Sequence, residues 1–597
     1  MDSLSSSFLS AVPHQNLLPL SKTPLPPINL LTNISSIRRE EKTKFSTSPI
    51  IRSASTLPTQ PPRSVAKPYT APPTPKTTAL LSKFFSAWED IITKFIDPPD
   101  RPWVNPGFVF SGNFAPVDEL PPTECPIIEG TLPSCLDGAY IRNGPNHQFL
   151  PRGPSHLFDG DGMLHCLRIS GGRATFCSRY VKTYKYIIER KAGTKVIPNY
   201  FSDFHGLAAT VARGVLWTAR MIAYRFDQRN GIGVANTSVA RFGDRLYAMC
   251  ESDLPYEIRV TPHGDVETVG RYDFDGKHSI SMTAHPKVDP DTGEVFAFRN
   301  RIITQLLTYF RLDADGNKQC DVPIFSMHRP FLLHDFAITK KYAIFPDIQF
   351  GMDLLGFFAK GEAPAAYIPS KVPRLGVIPR YATDNKKMRW FEVPGFNMYH
   401  AINAWDEEDD NGDECIILVA PNVSPIEHMI GRMELLQASM EKVKINLNTG
   451  KLTRHPLSPR NLELSVINPA YLGKKNKYVY AGMCDRVPTT TGVVKLDVST
   501  AAEGGQVECT VACRMYGPRC YGGEPFFVAR DPDNPNADED DGYLVSYVHD
   551  EEREESKFIV MDAQSPTLDV VASVTLPQRV PYGFHGLFVR NKDLITL

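Results

Sequence analysis

The chain lacks an apolar run of the roughly 18 residues that a membrane-spanning helix needs, so no segment is expected to cross a bilayer as a helix. It also lacks a dominant charge: 65 Lys and Arg stand against 67 Asp and Glu, a formal net charge of −2. Without a bulk field to gather phosphates, nucleic acid is excluded as an expected partner. The 11 cysteines form no Cys-x-x-Cys pair; Cys509 and Cys513 are the nearest couple, and no further Cys or His beside them completes a zinc quartet. The thiols therefore read as reduced and mostly buried, in a reducing compartment. No Gly-x-Ser-x-Gly elbow and no phosphate loop is present, and Gly231 and Gly233 lack the third glycine of a dinucleotide fingerprint. The acidic stretch 531–542 lacks the glycine and glutamate positions of a calcium loop. Acids are missing from the N-terminus, where the first 39 residues hold only Asp2. That segment is rich in Ser, Pro and Leu, with Lys22, Arg38 and Arg39 as its bases. An organellar transit peptide has this composition, and the scarcity of arginine favours a plastid over a mitochondrion.

Four segments follow from these contrasts. Residues 1–50 are expected to be a plastid transit peptide and disordered tail, and 51–76 a proline-rich, extended linker carrying Pro58, Pro61, Pro62, Pro68, Pro72, Pro73 and Pro75. Over 77–97 the residues Leu80, Leu81, Phe84, Phe85, Trp88, Ile91, Ile92, Phe95 and Ile96 recur at steps of three and four, which predicts an amphipathic helix stopped by Pro98 and Pro99. Its stripe either packs on the body of the protein or dips into a membrane surface beside Lys83 and Lys94, and 207–222 is a second such segment. From 105 to 597 the texture is β. Short alternating or apolar runs, such as 245–251, 341–350, 415–420, 477–484 and 542–549, are separated by tight-turn sequences at 261–265, 289–293, 313–316 and 446–450. So many strands exceed one sandwich, and a β-propeller would close them around an axis with few exposed edges.

Among 15 histidines, four share a setting of apolar or small residues beside a strand: Met282-Thr-Ala-His285, Leu332-Leu-His334, Asn397-Met-Tyr-His400 and Tyr582-Gly-Phe-His585. Separations of 49, 66 and 185 residues suit one ligand per blade, all aimed at the axis, and exclude a local metal knuckle. Four imidazoles could hold zinc, copper, iron or nickel. Neutral ligands leave the ion's charge uncompensated, so carboxylates accepting the outer ring N–H groups are expected, with Glu251, Glu463 and Glu524 as candidates among apolar residues or glycines.

Taken together, Arg142-Asn-Gly-Pro-Asn146, His156-Leu-Phe-Asp-Gly-Asp-Gly-Met163, Ser281-Met-Thr-Ala-His-Pro286, His334-Asp-Phe-Ala-Ile-Thr339, Tyr521-Gly-Gly-Glu-Pro-Phe-Phe527 and Arg579-Val-Pro-Tyr-Gly-Phe-His-Gly586 resemble the carotenoid cleavage dioxygenase family, most closely its plant type-4 branch. The resemblance runs over about 105–597. It implies an all-β fold, a seven-bladed β-propeller with a helical cap over a central tunnel. It implies iron(II), Fe(2+), held by His285, His334, His400 and His585, with Glu251, Glu463 and Glu524 orienting the rings. The implied reaction is cleavage of a carotenoid or apocarotenoid double bond with O2, at the 9,10 (9′,10′) position, giving an ionone and an apocarotenal. The alternatives are 7,8 (7′,8′) cleavage or a non-catalytic carotenoid-binding propeller. Implied surroundings are the plastid and peripheral association with its membrane or plastoglobules.

Overall fold

The computed structural model describes residues 76–97 and 105–594, apart from 200, 205, 275, 277–280, 302–303, 305, 354–355, 358–363 and 501–507. The expected transit segment 1–50 and nearly all of the linker 51–76 lie outside the described residues.

The β-rich part divides into seven blades around one axis. Blade I holds Leu120–Cys125, Gly138–Asn146, Asp161–Ser170 and Arg173–Tyr180. Blades II, III and IV are four-stranded sheets that begin with Ser238–Phe242, Lys287–Val288 and Ala337–Ile338. Blade V begins with Asn403–Glu408 and ends in the long strand Leu452–Val466, whose second half starts blade VI. Blade VII begins with Phe526–Ala529. Hairpins join successive strands, and the turn glycines decide where they close. Gly293 and Gly450 have φ of 71° and 76°, a left-handed conformation that costs glycine nothing. Asp289 Oδ1 accepts the Asp291 and Thr292 N–H groups and shapes the first of these turns.

The ring is closed by strands near the two borders of the β-rich part. The C-terminal strand Gly586–Arg590 becomes the innermost strand of blade I, with Arg142 opposite Gly586 and Gly138 opposite Arg590. Ile127–Gly130 adds to the outer edge of blade VII beside Val570–Thr575. Both additions cover strand edges of blades I and VII that would otherwise stay unpaired. Between blades VII and I, the side chains of Tyr140, Phe176, Tyr547 and Phe558 are fully buried and pack together.

Helices are few. The helix α1, Lys76–Phe95, precedes the propeller, and α2, Tyr184–Ala192, and α3, Leu207–Ala223, lie in the connection from blade I to blade II. Thr183 caps α2 by accepting the Tyr186 N–H, and Gly193 ends it at φ 69°. The α1 stripe divides between two environments. Phe85 and Ile92 are buried against Leu216 of α3, whereas Leu80, Leu81, Phe84, Ile91, Phe95 and Ile96 face outward. Leu207, Val211, Val215 and Ile222 of α3 are exposed in the same way. The two helices are joined by buried charges: Arg220 Nη2 donates to Glu89 Oε2 at 2.9 Å, and Arg213 pairs with Asp97. Among the described residues no helix is long and apolar enough to cross a membrane.

Candidate metal centre

The positions just before the innermost strands supply the site. His285, His334, His400 and His585 precede the inner strands of blades III, IV, V and I. Blade VII puts Glu524 at the corresponding place and Thr237 precedes the inner strand of blade II, whereas Glu463 lies within the strand that starts blade VI. This explains the unequal sequence spacing: the gap of 185 residues between His400 and His585 spans the two blades that contribute carboxylates instead.

All four imidazoles meet. One ring nitrogen from each lies within 4.8 Å of the others. His285 Nε2 is 3.0 Å from His334 Nε2, which is 3.2 Å from His400 Nε2. The ring of His585 stands 4.6 Å from that of His285 and 5.1 Å from that of His400, centroid to centroid, both edge to face.

The carboxylates sit behind the rings. Glu251 Oε1 lies 2.6 Å from His334 Nδ1, Glu463 Oε2 2.9 Å from His400 Nδ1, and Glu524 Oε1 2.8 Å from His585 Nδ1. Each Nδ1 carries the proton donated to its carboxylate, so each Nε2 presents a lone pair to the centre. The lone pairs on His334 and His400 Nε2, 3.2 Å apart, repel unless a proton or a cation stands between them. A metal–imidazole bond of about 2.1 Å with ligands at right angles puts adjacent nitrogens about 3.0 Å apart, so the donor set fits a divalent transition ion.

The electrostatics of the rings differ. Burial, and then the neighbouring imidazoles, hold His285 well below the usual histidine range. Burial also keeps His334 low, against the pull of Glu251. At His400 burial is outweighed by the charge and hydrogen bond of Glu463, and the group is raised. Burial pushes Glu463 up, but His400 and the Leu464 N–H bring it below the ordinary range. That N–H reaches Glu463 Oε2 at 2.8 Å because Leu464 adopts φ 51°, a strained value for leucine. Such strain persists only where the surroundings impose it.

The centre has two unlike sides. Residues after the histidines, including Lys287, Val288 and Ile402, line a cavity of about 960 Å³ along the axis, whose other walls include Asp335, Lys474 and Asp538. Residues before the histidines, Leu332, Tyr399 and Phe584, belong to an apolar cluster with Phe158, Phe350 and Met352. Tyr399 stacks on His334 at 4.1 Å and 16°. Sequence reasoning passed over Tyr399; the available signal was an aromatic residue directly before a ligand, repeated at Phe584 and His585.

Residues 114–590 match the family described as retinal pigment epithelial membrane protein, RPE65. The chain is 61% identical over 521 residues to a probable carotenoid cleavage dioxygenase 4, chloroplastic, of Arabidopsis thaliana, covering 87% of each chain. It is 50% identical over 372 residues to a zeaxanthin 7,8(7′,8′)-cleavage dioxygenase, chromoplastic, of Crocus sativus, covering 62% of this chain and 99% of that one. The solved structure of a Synechocystis apocarotenoid oxygenase superposes with a TM-score of 0.66 at 26% identity, covering 82% of this chain and all of the other.

Proposed function

The chain belongs to the carotenoid oxygenase family, and from that premise we propose that it is a plastid iron(II) dioxygenase cleaving a carotenoid or apocarotenoid at the 9,10 (9′,10′) double bond. The observation that carries the reading is the convergence of His285, His334, His400 and His585, three of them braced by glutamates. All-nitrogen ligation with carboxylates behind is compatible with iron(II) as with zinc, copper or nickel, and the family resemblance selects iron(II) among them. When bound, iron(II) would supply electron density to activate dioxygen.

The protein's own groups do the rest. Glu251, Glu463 and Glu524 fix the ring tautomers and offset the ion's charge. Tyr399, Phe584 and their apolar neighbours offer a dry surface for a polyene, which has no charge by which to be anchored. The axial cavity is a less favourable seat for a hydrocarbon, because the hydrated Lys474 and Asp538 in its wall would lose water. Both oxygen atoms of O2 enter the products, one on each carbon of the broken bond, so no proton transfer is required of a side chain. This agrees with the missing hydrolase elbow. The type-4 resemblance and the likeness to relatives named 9,10(9′,10′)-cleavage dioxygenase favour the 9,10 bond, and likeness to the Crocus enzyme supports 7,8 cleavage as the second reading. Plastid location is supported by the chloroplastic and chromoplastic relatives and by the N-terminal composition. Plastoglobule or membrane docking is supported by the exposed apolar faces of α1 and α3.

The test is incubation of iron-loaded protein with β-carotene, zeaxanthin and an apocarotenal under ¹⁸O₂, with products identified by mass spectrometry. An ionone and an apocarotenal, each carrying label, are expected. Intact substrates throughout, with iron bound, would leave only a carotenoid-binding propeller.

A further inference from the structure

Three of the histidines rest on glutamates, yet the structure also holds a fourth buried carboxylate at the centre, on Asp335. We infer that Asp335 is a positioning residue that ties three of the four histidine-bearing segments into one unit and so sets the affinity of the site for its metal. The inference rests on the reading of the four imidazoles as a metal site.

Asp335 is 2% exposed. It follows His334 directly and belongs to the segment leading into blade IV. Its Oδ2 accepts the backbone N–H of Ala401 at 2.8 Å, and Ala401 follows His400 directly. Its Oδ1 lies 2.8 Å from Lys287 Nζ, and Lys287 stands two residues after His285. The same Oδ1 accepts the Phe336 N–H at 2.7 Å, which fixes the carboxylate against its own backbone. One side chain thereby links the His285, His334 and His400 segments, which come from three successive blades.

The arrangement compensates for an asymmetry. His334, His400 and His585 have carboxylates at their outer nitrogens. The described support of His285 is indirect: its N–H donates to Thr283 Oγ1 at 3.0 Å, and its strand is tethered through Lys287. Asp335 could not form this link from a neighbouring position, because the Ala401 N–H is a fixed backbone donor 66 residues away in sequence. The pair is also nearly dry, with side chains 12% and 3% exposed for Lys287 and Asp335. Removing one member would leave the other charged and unpaired in the cavity wall.

The experiment uses the full chain and cobalt(II), measuring affinity by chelator competition and geometry by the visible d–d bands. Asp335→Ala is expected to weaken cobalt binding by about 10- to 100-fold and to shift the bands, the effect typical of lost support behind metal ligands. Asp335→Asn keeps an oxygen for the Ala401 N–H and loses the charge facing Lys287. Lys287→Met cuts only the tether to the His285 segment. Both are expected to weaken binding several-fold with altered bands, and they decide the matter if Asp335→Ala does not fold. If the unmodified protein takes up no cobalt, the metal reading falls and this inference with it. If it takes up one equivalent, while folded Asp335→Asn and Lys287→Met match its affinity and spectrum, the link through Asp335 alone is overturned.

Discussion

At the scale of single residues, the site is a problem of crowded lone pairs solved by charges placed behind them. Glu463 Oε2 receives both the His400 ring at 2.9 Å and the Leu464 N–H at 2.8 Å. In Glu463→Gln the amide oxygen can still accept from both, so the change removes charge and little else. Metal affinity should fall by about 10- to 100-fold with the fold intact, measured by chelator competition against thermal unfolding of the metal-free protein. A second buried acid tests a different balance. Burial pushes Asp203 from 3.8 up to about 6, although Arg213 lies 3.7 Å away. A carboxyl raised in the folded state stabilises at low pH and loses that contribution as pH climbs through its folded value. Relative to Asp203→Asn, the wild-type protein should therefore lose about 3 kcal/mol between pH 4 and pH 6 and little more above. Hydrogen exchange of α3 amides in the two proteins across that range measures it. A flat difference would contradict the assignment.

At the scale of elements, α1 and α3 behave as one plate. Their contact buries Phe85, Ile92 and Leu216, and the Arg213 and Arg220 pairs with Asp97 and Glu89 hold the helices in register. Their outward apolar side chains remain uncovered in the single chain. Each large apolar side chain moved from water into a lipid interface contributes about 1.5–3 kcal/mol at most. Phe84→Glu combined with Ile222→Glu should therefore lower liposome co-flotation by at least about tenfold, with cleavage of detergent-dispersed substrate unchanged. Undiminished flotation would show that these faces are not the docking surface. Periodicity alone had predicted the helix and its stripe. It could not say that the stripe would be split, because the split depends on α3, more than a hundred residues downstream.

At the scale of the whole molecule, the ring is fastened by its ends. Five residues, Gly586–Arg590, complete blade I immediately after the fourth histidine. A chain truncated after Pro581 loses both the closing strand and His585. It exposes the edge of Gly138–Asn146, and limited proteolysis should cut it rapidly within blade I, with oligomers on gel filtration. A monomer as protease-resistant as the full chain would mean that closure depends on the other fastening, Ile127–Gly130 against Val570–Thr575.

By itself the sequence determined the β texture, the turn positions and the chemical types at the centre. These are local properties: alternation sets which residues are strands, glycine sets where hairpins close, and an imidazole or carboxylate in apolar company must find a partner. Only the tertiary structure decided that four histidines from blades I, III, IV and V meet within 4.8 Å. It also decided that Asp335 reaches Lys287 and Ala401, and that the residues before the histidines join an apolar cluster while those after them line the axial cavity. The physical reason is circular closure. The position of each inner strand is fixed by its neighbours around the ring, so the distances that make chemistry possible are carried by contacts between residues far apart in the chain.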